Sequence, residues 1–273
     1  MIQHDGLFYI SAGSGVYAAA VTGGTPQLLA SGVRPTDMAV HGTDLVFADD
    51  LGGAVYRVPL SGGGAEFIAT ATMPSNMVVG GDYAYWRESG SHIYRALASG
   101  GPTELVHTKI NDTLLGPKVN GATSDIYFLD ADFIGGGVHY NARRIQPGSS
   151  GSSPAGGATL LGGSALWDVH GTTLWLGETG TLFSVYSRLY VPPGTPAPPF
   201  GAPARVTTYA SRILVDDESL FDSDDASLFE SKLCNGFTTE LARGLAGYMI
   251  ADADYLYWLS GSTLRRVPRY GRP

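Results

Sequence analysis

Ala84-Tyr85-Trp86, Ile93-Tyr94-Arg95, Ser99-Gly100-Gly101 and Glu104-Leu105-Val106 follow one another in a single stretch, and their order decides the fold. One copy earlier the order reads Leu45-Val46-Phe47, Val55-Tyr56-Arg57, Ser61-Gly62-Gly63 and Phe67-Ile68-Ala69. The first copy reads Leu7-Phe8-Tyr9, Val16-Tyr17, Thr22-Gly23-Gly24 and Gln27-Leu28-Leu29. Three short apolar runs, with a glycine pair ahead of the last, thus recur about every 40 residues. A unit this small cannot bury its own apolar face and must stack on its copies.

Each unit also has an apolar run ahead of the aromatic one, as in Met38-Ala39-Val40, Met77-Val78-Val79, Ile213-Leu214-Val215 and Met249-Ile250-Ala251. Tight polar turns join the two, among them His41-Gly42-Thr43-Asp44 and Gly80-Gly81-Asp82, built from residues that tolerate φ > 0 or bond their own backbone. No helical period is sustained, so the units are sheets of four short strands. A fixed four-strand unit selects the β-propeller among all-β architectures. The aromatic second strand occurs seven times, which predicts a seven-bladed β-propeller of four-stranded antiparallel blades in a single domain. The blades fall near residues 1–32, 33–72, 73–111, 112–164, 165–210, 211–246 and 247–273, and the last has room for three strands only. Two segments exceed the pattern: Phe133 to Gly157, rich in Gly and Ser, and the proline-dense Pro192 to Pro203. Both are expected as loops outside the ladder.

The composition excludes several classes. The net charge of −8 argues against nucleic acid as a main partner, which needs clustered Lys and Arg. No apolar run is long enough to span a membrane. Only 15% of residues are charged, against about a quarter in ordinary domains, a polar but weakly charged surface that favours an extracytoplasmic setting. No leader is visible ahead of the first strand. Cys234 stands alone and has no activating base beside it in sequence. Arg265, Arg266, Arg269 and Arg272 are expected to form a solvated end beside an acidic surface.

Tyr85-Trp86 followed by Ile93-Tyr94-Arg95-Ala96-Leu97 and Ser99-Gly100-Gly101 resembles the YWTD class of propeller repeat. Tyr257-Trp258 with Leu264-Arg265-Arg266-Val267 matches it in part. Thr-Asp is replaced by Arg87-Glu88 and by Leu259-Ser260, and the unit count exceeds the six usual in that class. The chain is also similar to secreted bacterial propellers with Tyr-Trp repeats and to NHL-like propellers. These resemblances imply the fold and leave activity open, because their members include receptors, carbohydrate binders, lyases and lactonases.

In this fold, loops entering inner strands and loops leaving second strands share one end. Asp37, Asn76, Arg212 and Tyr248 occupy matching places one residue ahead of an inner-strand Met or Ile. With Arg34, Lys118 and Glu178 they form the candidate ligand site, since convergent unlike polar groups mark small-ligand sites. Asp130 and Asp132, and Asp222, Asp224 and Asp225, offer hard oxygen ligands for calcium or another divalent metal, without a complete calcium-loop spacing. His107 and His139 are the candidate catalytic bases, each needing a partner within hydrogen-bond reach. The expected function is a binding module for carbohydrate, peptide or another small molecule at the channel mouth. The alternatives are a metal-assisted lyase or hydrolase at the same place, and a scaffold domain of a larger protein.

Overall fold

The structure, a computed structural model, describes residues 1–109, 114–119, 123–134, 137–160, 164–170, 173–179, 184–190, 206–207, 212–216, 218–223, 227–233, 238–243, 249–260 and 263–269. Strands and turns account for its regular structure. The first sheet is Ile2–His4, Leu7–Ala12, Gly15–Ala20 and Gln27–Ser31 (β1–β4). The second is Pro35–His41, Asp44–Asp49, Ala54–Pro59 and Glu66–Thr70 (β5–β8), and the third is Ser75–Gly80, Tyr83–Glu88, His92–Leu97 and Glu104–Thr108 (β9–β12). Leu114–Val119, Ile126–Ile134, Gly137–Ile145 and Ser153–Leu160 (β13–β16) make the fourth; Ser164–His170, Thr173–Thr179, Ser184–Tyr190 and Val206–Thr207 (β17–β20) make the fifth. Arg212–Val215, Ser219–Ser223, Ser227–Lys232 and Thr238–Arg243 (β21–β24) form the sixth, and Met249–Ala251, Tyr255–Ser260 and Thr263–Pro268 (β25–β27) form a three-stranded sheet.

Within each sheet the strands follow chain order and pair antiparallel: the meander blade of an all-β β-propeller. The expectation of seven four-stranded blades is corrected. Among the described residues the four-stranded blades number six, and the sheet β25–β27 has three strands. Pro268 ends strand β27 without an N–H to offer, and the Arg269 side chain just beyond it pairs with Asp216. The expected loop at Phe133 to Gly157 is also corrected in part: much of it lies in β14 and β15, nine residues each where most blades use six, and in β16. The Pro192 to Pro203 segment lies outside the described residues.

The chain divides into two compact units, Met1–Asp132 with Asn141–Pro154, and Phe133–Tyr140 with Ala155–Pro273. In the first, the period of two sets the packing. Leu45 and Phe47 of β6 join Tyr9, Val16 and Leu29 of the first sheet. Val46 and Ala48, pointing the other way, meet Ala84 and Trp86 of β10. Tyr85 faces onward to Leu114, Ile126 and Phe128 of the fourth sheet. Trp86 is completely buried, as the repeat alignment requires.

The outer strands share a second device. Their register slips by one residue opposite Val16/Tyr17, Val55/Tyr56, Ile93/Tyr94 and Leu228/Phe229. The extra residues are Leu29, Ile68, Val106 and Leu241, and the first three are buried. Each bulge bends its strand and turns an otherwise unpaired apolar side chain inward.

In the second unit, Phe221 and Leu228 pack on Leu256 and Trp258. Arg269, expected at a solvated end, is only 5% exposed. Its guanidinium lies 2.9 Å from Asp216, 3.6 Å from the fully buried Glu230 carboxylate and 5.1 Å above the Phe221 ring. Lys232 and Ser219 reach the same Glu230 oxygen at 2.8 and 2.7 Å. Arg265 and Arg266 remain exposed.

Candidate functional site

The loops entering the inner strands and leaving the second strands of the second and third sheets carry the most distinctive surface of the first unit. Asp49 closes β6 by accepting the N–H groups of Leu51 and Gly52, both at 3.0 Å. This turn lifts Leu51 into solvent, where it is 73% exposed. Gly53 follows with φ 63° and hydrogen-bonds through its carbonyl to the Ala71 N–H at 2.9 Å. A side chain at Gly53 would meet the Ala71 oxygen at 3.2 Å as well as the left-handed backbone, so this junction requires glycine. The contact brings the β6–β7 turn beside the loop Thr72-Met73-Pro74. Met73 there is 74% exposed and sits at φ 49°, a conformation an unbranched apolar residue rarely adopts.

A polar seam joins the neighbouring sheets. The Asp37 carboxylate accepts the Asn76 N–H at 2.7 Å. Asn76 is left-handed (φ 52°), which asparagine tolerates best after glycine. The Thr36 hydroxyl sits 3.2 Å from the Pro74 carbonyl, and Arg87 donates to the Leu114 carbonyl at 2.6 Å. Burial pulls the Arg87 guanidinium below its usual pKa, and the Asp37 charge partly offsets this. At the rim Arg34 grips Asp50 through two hydrogen bonds of 2.9 Å, which holds the Asp50 carboxyl below its ordinary range.

Of the four residues expected to converge, the structure brings Asp37 and Asn76 together. Their contact is a stitch between inner strands β5 and β9. Arg212 opens β21 in the second unit, where only its backbone is described, and Tyr248 lies outside the described residues. Arg34 is present at the rim as part of an ion pair. Lys118 is half-buried in β13 opposite Tyr127, and Glu178 belongs to β18, with its side chain not described.

The carboxylates considered for metal are differently employed. Asp130 lies 2.9 Å from the His107 ring and 3.7 Å from Arg143. Asp132 pairs with Lys109 and accepts from Asn141 at 2.7 Å. Asp222 is completely buried in β22, while Asp224 and Asp225 lie outside the described residues. Among the described residues no three His, Cys, Asp or Glu side chains converge as metal ligands. His139 is half-buried on β15, in the second unit.

Sequence reading missed Leu51 and Met73. The available signal was an apolar residue inside a turn, where the neighbouring repeat places Ser89 and Gly90. It also missed Ser152 and Arg143, whose approach to His107 needs the folded register.

No family model matches the chain, and no curated protein matches it in sequence. Solved structures do. The computationally designed protein Ika8 is similar over 98% of this chain and 82% of its own, with TM-score 0.65 and 8% identity. YCF48 from Cyanidioschyzon merolae is similar over 93% and 88%, with TM-score 0.61 and 12% identity. YCF48 bound to D1 peptide is similar over 98% and 96%, with TM-score 0.57 and 11% identity. At such identities the likeness carries the fold alone: the protein is an all-β β-propeller, without assignment to the YWTD or NHL type. Among the described residues no helix is long and apolar enough to cross a membrane.

Proposed function

We propose that this propeller is a recognition module that binds an extended peptide segment of a partner protein through the Leu51–Met73 loop face. One observation carries the reading. Two large apolar side chains, on adjoining loops tied by the Gly53–Ala71 hydrogen bond, stand about three-quarters exposed. Folding gains little from either side chain. A strained, exposed methionine held by its surroundings is the kind of outlier that points to use in contact. Apolar anchors rimmed by polar groups describe a partner surface better than a sugar site, which needs flat aromatic floors and many convergent hydroxyl partners. The peptide held by the structurally similar YCF48 supports the ligand class by analogy of fold. The backbone groups of the two loops and the Arg34–Asp50 pair supply polar contacts around the anchors.

The test is panning of a random 12-residue peptide library against the protein, beside a glycan array. Peptides with one or two bulky apolar anchors should be enriched, and Leu51→Asp with Met73→Asp should abolish their binding without lowering Tm. Enrichment of glycans alone, or peptides indifferent to the double variant, would refute the reading.

A further inference from the structure

His107 occupies a position that other repeats fill with alanine. It pairs with Ile93 just beyond the outer-strand bulge, where Ala30 pairs with Val16, Ala69 with Val55 and Ala242 with Leu228. Ala30 and Ala69 are buried, so the fold asks only for a small apolar group there. An imidazole in that place breaks the repeat's own rule, and such breaks concentrate where function lies.

The surroundings of His107 are built. Its Nε2 lies 2.9 Å from Asp130 Oδ1, and its Nδ1 lies 3.1 Å from the Ser152 Oγ. The ring rests against the buried Phe128 at 4.7 Å between centroids, which fixes its plane. Asp130 is 6% exposed. Arg143 donates to the same Ser152 Oγ at 3.2 Å while its Nε faces Asp130 at 3.7 Å. Ser152 sits on a turn clamped from two sides. Arg95, paired with Glu104, donates to the Ser149 carbonyl, and the Ser149 hydroxyl bonds the Gly151 carbonyl at 2.9 Å. All these residues belong to the first unit. Ser152 is half-buried, and the His107 side chain keeps 11% of its surface exposed.

We propose that Ser152, His107 and Asp130 form a nucleophile, base and positioning residue that transfers the acyl group of small carboxylic esters to water. Asp130 accepts the Nε2 proton and leaves Nδ1 as the acceptor for the serine proton, the relay of a serine hydrolase with the two ring nitrogens exchanged. Ser152 Oγ bonds to the ester carbonyl carbon as its proton passes to Nδ1. The carbon–oxygen bond to the leaving alcohol then breaks, and that oxygen takes the proton from Nδ1. Water adds to the acyl-serine carbonyl by the same route, giving its proton to Nδ1. The ester bond to Ser152 breaks, Oγ recovers the proton, and the carboxylic acid departs. Arg143 donates to Oγ at 3.2 Å, which orients the hydroxyl so that its proton points to Nδ1. No residue of this site belongs to the Leu51–Met73 loops, and neither reading depends on the other.

The experiment is labelling of the intact chain with a fluorophosphonate probe, peptide mapping of the adduct, and p-nitrophenyl acetate turnover beside it. Labelling should map to Ser152 and disappear in Ser152→Ala. His107→Ala restores the residue of the other repeats, and Arg143 stays beside Asp130 at 3.7 Å, so the variant should fold with a Tm lowered by a few degrees yet label at least a hundredfold more slowly. Asp130→Asn should keep Tm within a few degrees and slow labelling at least tenfold. That loss of rate without loss of structure separates positioning from mere packing. An unlabelled Ser152 in the folded wild type, or equal rates in wild type and His107→Ala, would overturn the proposal.

Discussion

Truncating Trp86 removes the largest side chain buried between the second and third sheets. It is wholly inaccessible, packs against Val46, Ala48, Val55 and Ile68, and stacks on Tyr94 at 6.4 Å. Burying roughly 200 Å² of aromatic surface at about 25 cal/mol/Å² is worth about 5 kcal/mol. Measured core truncations of this kind cost about 3–5 kcal/mol. The indole Nε1 also donates to Glu88 Oε1 at 2.7 Å, and Glu88 is 9% exposed. Stranding that carboxylate adds about 1–3 kcal/mol, so Trp86→Ala should lose about 4–8 kcal/mol in all. Trp86→Phe fills most of the space but still strands Glu88, and should lose about 1–3 kcal/mol. Urea unfolding followed by far-UV circular dichroism gives both values. A loss under about 1 kcal/mol for Trp86→Ala would show that Trp86 is not packed between sheets, and the repeat alignment would fail with it.

Other outcomes follow from the same physics. Arg269→Met should cost about 3–5 kcal/mol in urea unfolding, because it leaves the Asp216 and Glu230 carboxylates without their shared cation. Arg269→Lys should not restore the loss, since an ammonium cannot reproduce the guanidinium fork; full rescue would refute the network. Burial first, and then the Asp252 carboxylate 2.8 Å away, push the Tyr257 phenol up from 10.0 to about 12. The unfolded phenol releases its proton near 10, so the folded state holds it longer, and stability present below pH 10 falls by roughly 2–3 kcal/mol as pH rises toward 12. Tyr257→Phe should flatten that alkaline decline in unfolding free energy, and an unchanged slope would contradict the assignment.

The repeats were legible because their physics is local. Aromatic second strands, polar turns and glycine pairs mark each meander, and Asp5-Gly6, both at positive φ, closes β1 to β2 as such turns require. What escaped depends on distance. Nothing in Arg269 itself reveals that Glu230, far back along the chain, waits buried for it. The Gly- and Ser-rich composition of residues 133–157 reads as loop, yet the ladder extends into it because strand pairing outweighs weak propensity when the partner is already in place. His107 was singled out as needing a partner. That its partner is Asp130 follows from a bulge that shifts the register by one residue, and a shift of one residue reverses which face a side chain takes. Asp37 and Asn76, expected in a ligand ring with Arg212 and Tyr248, are joined by a backbone-to-carboxylate hydrogen bond that stitches two sheets, a use their sequence positions do not reveal.

The central claim is that a peptide is recognised on the loops bearing Leu51 and Met73. Hydrogen–deuterium exchange with and without a library-selected peptide tests it most directly. Bound peptide should protect backbone amides of residues 50–53 and 71–76 and leave the outer strands β4, β8 and β12 unchanged. Protection confined to residues 133–157 or 192–203, with those two loops unaffected, would contradict it.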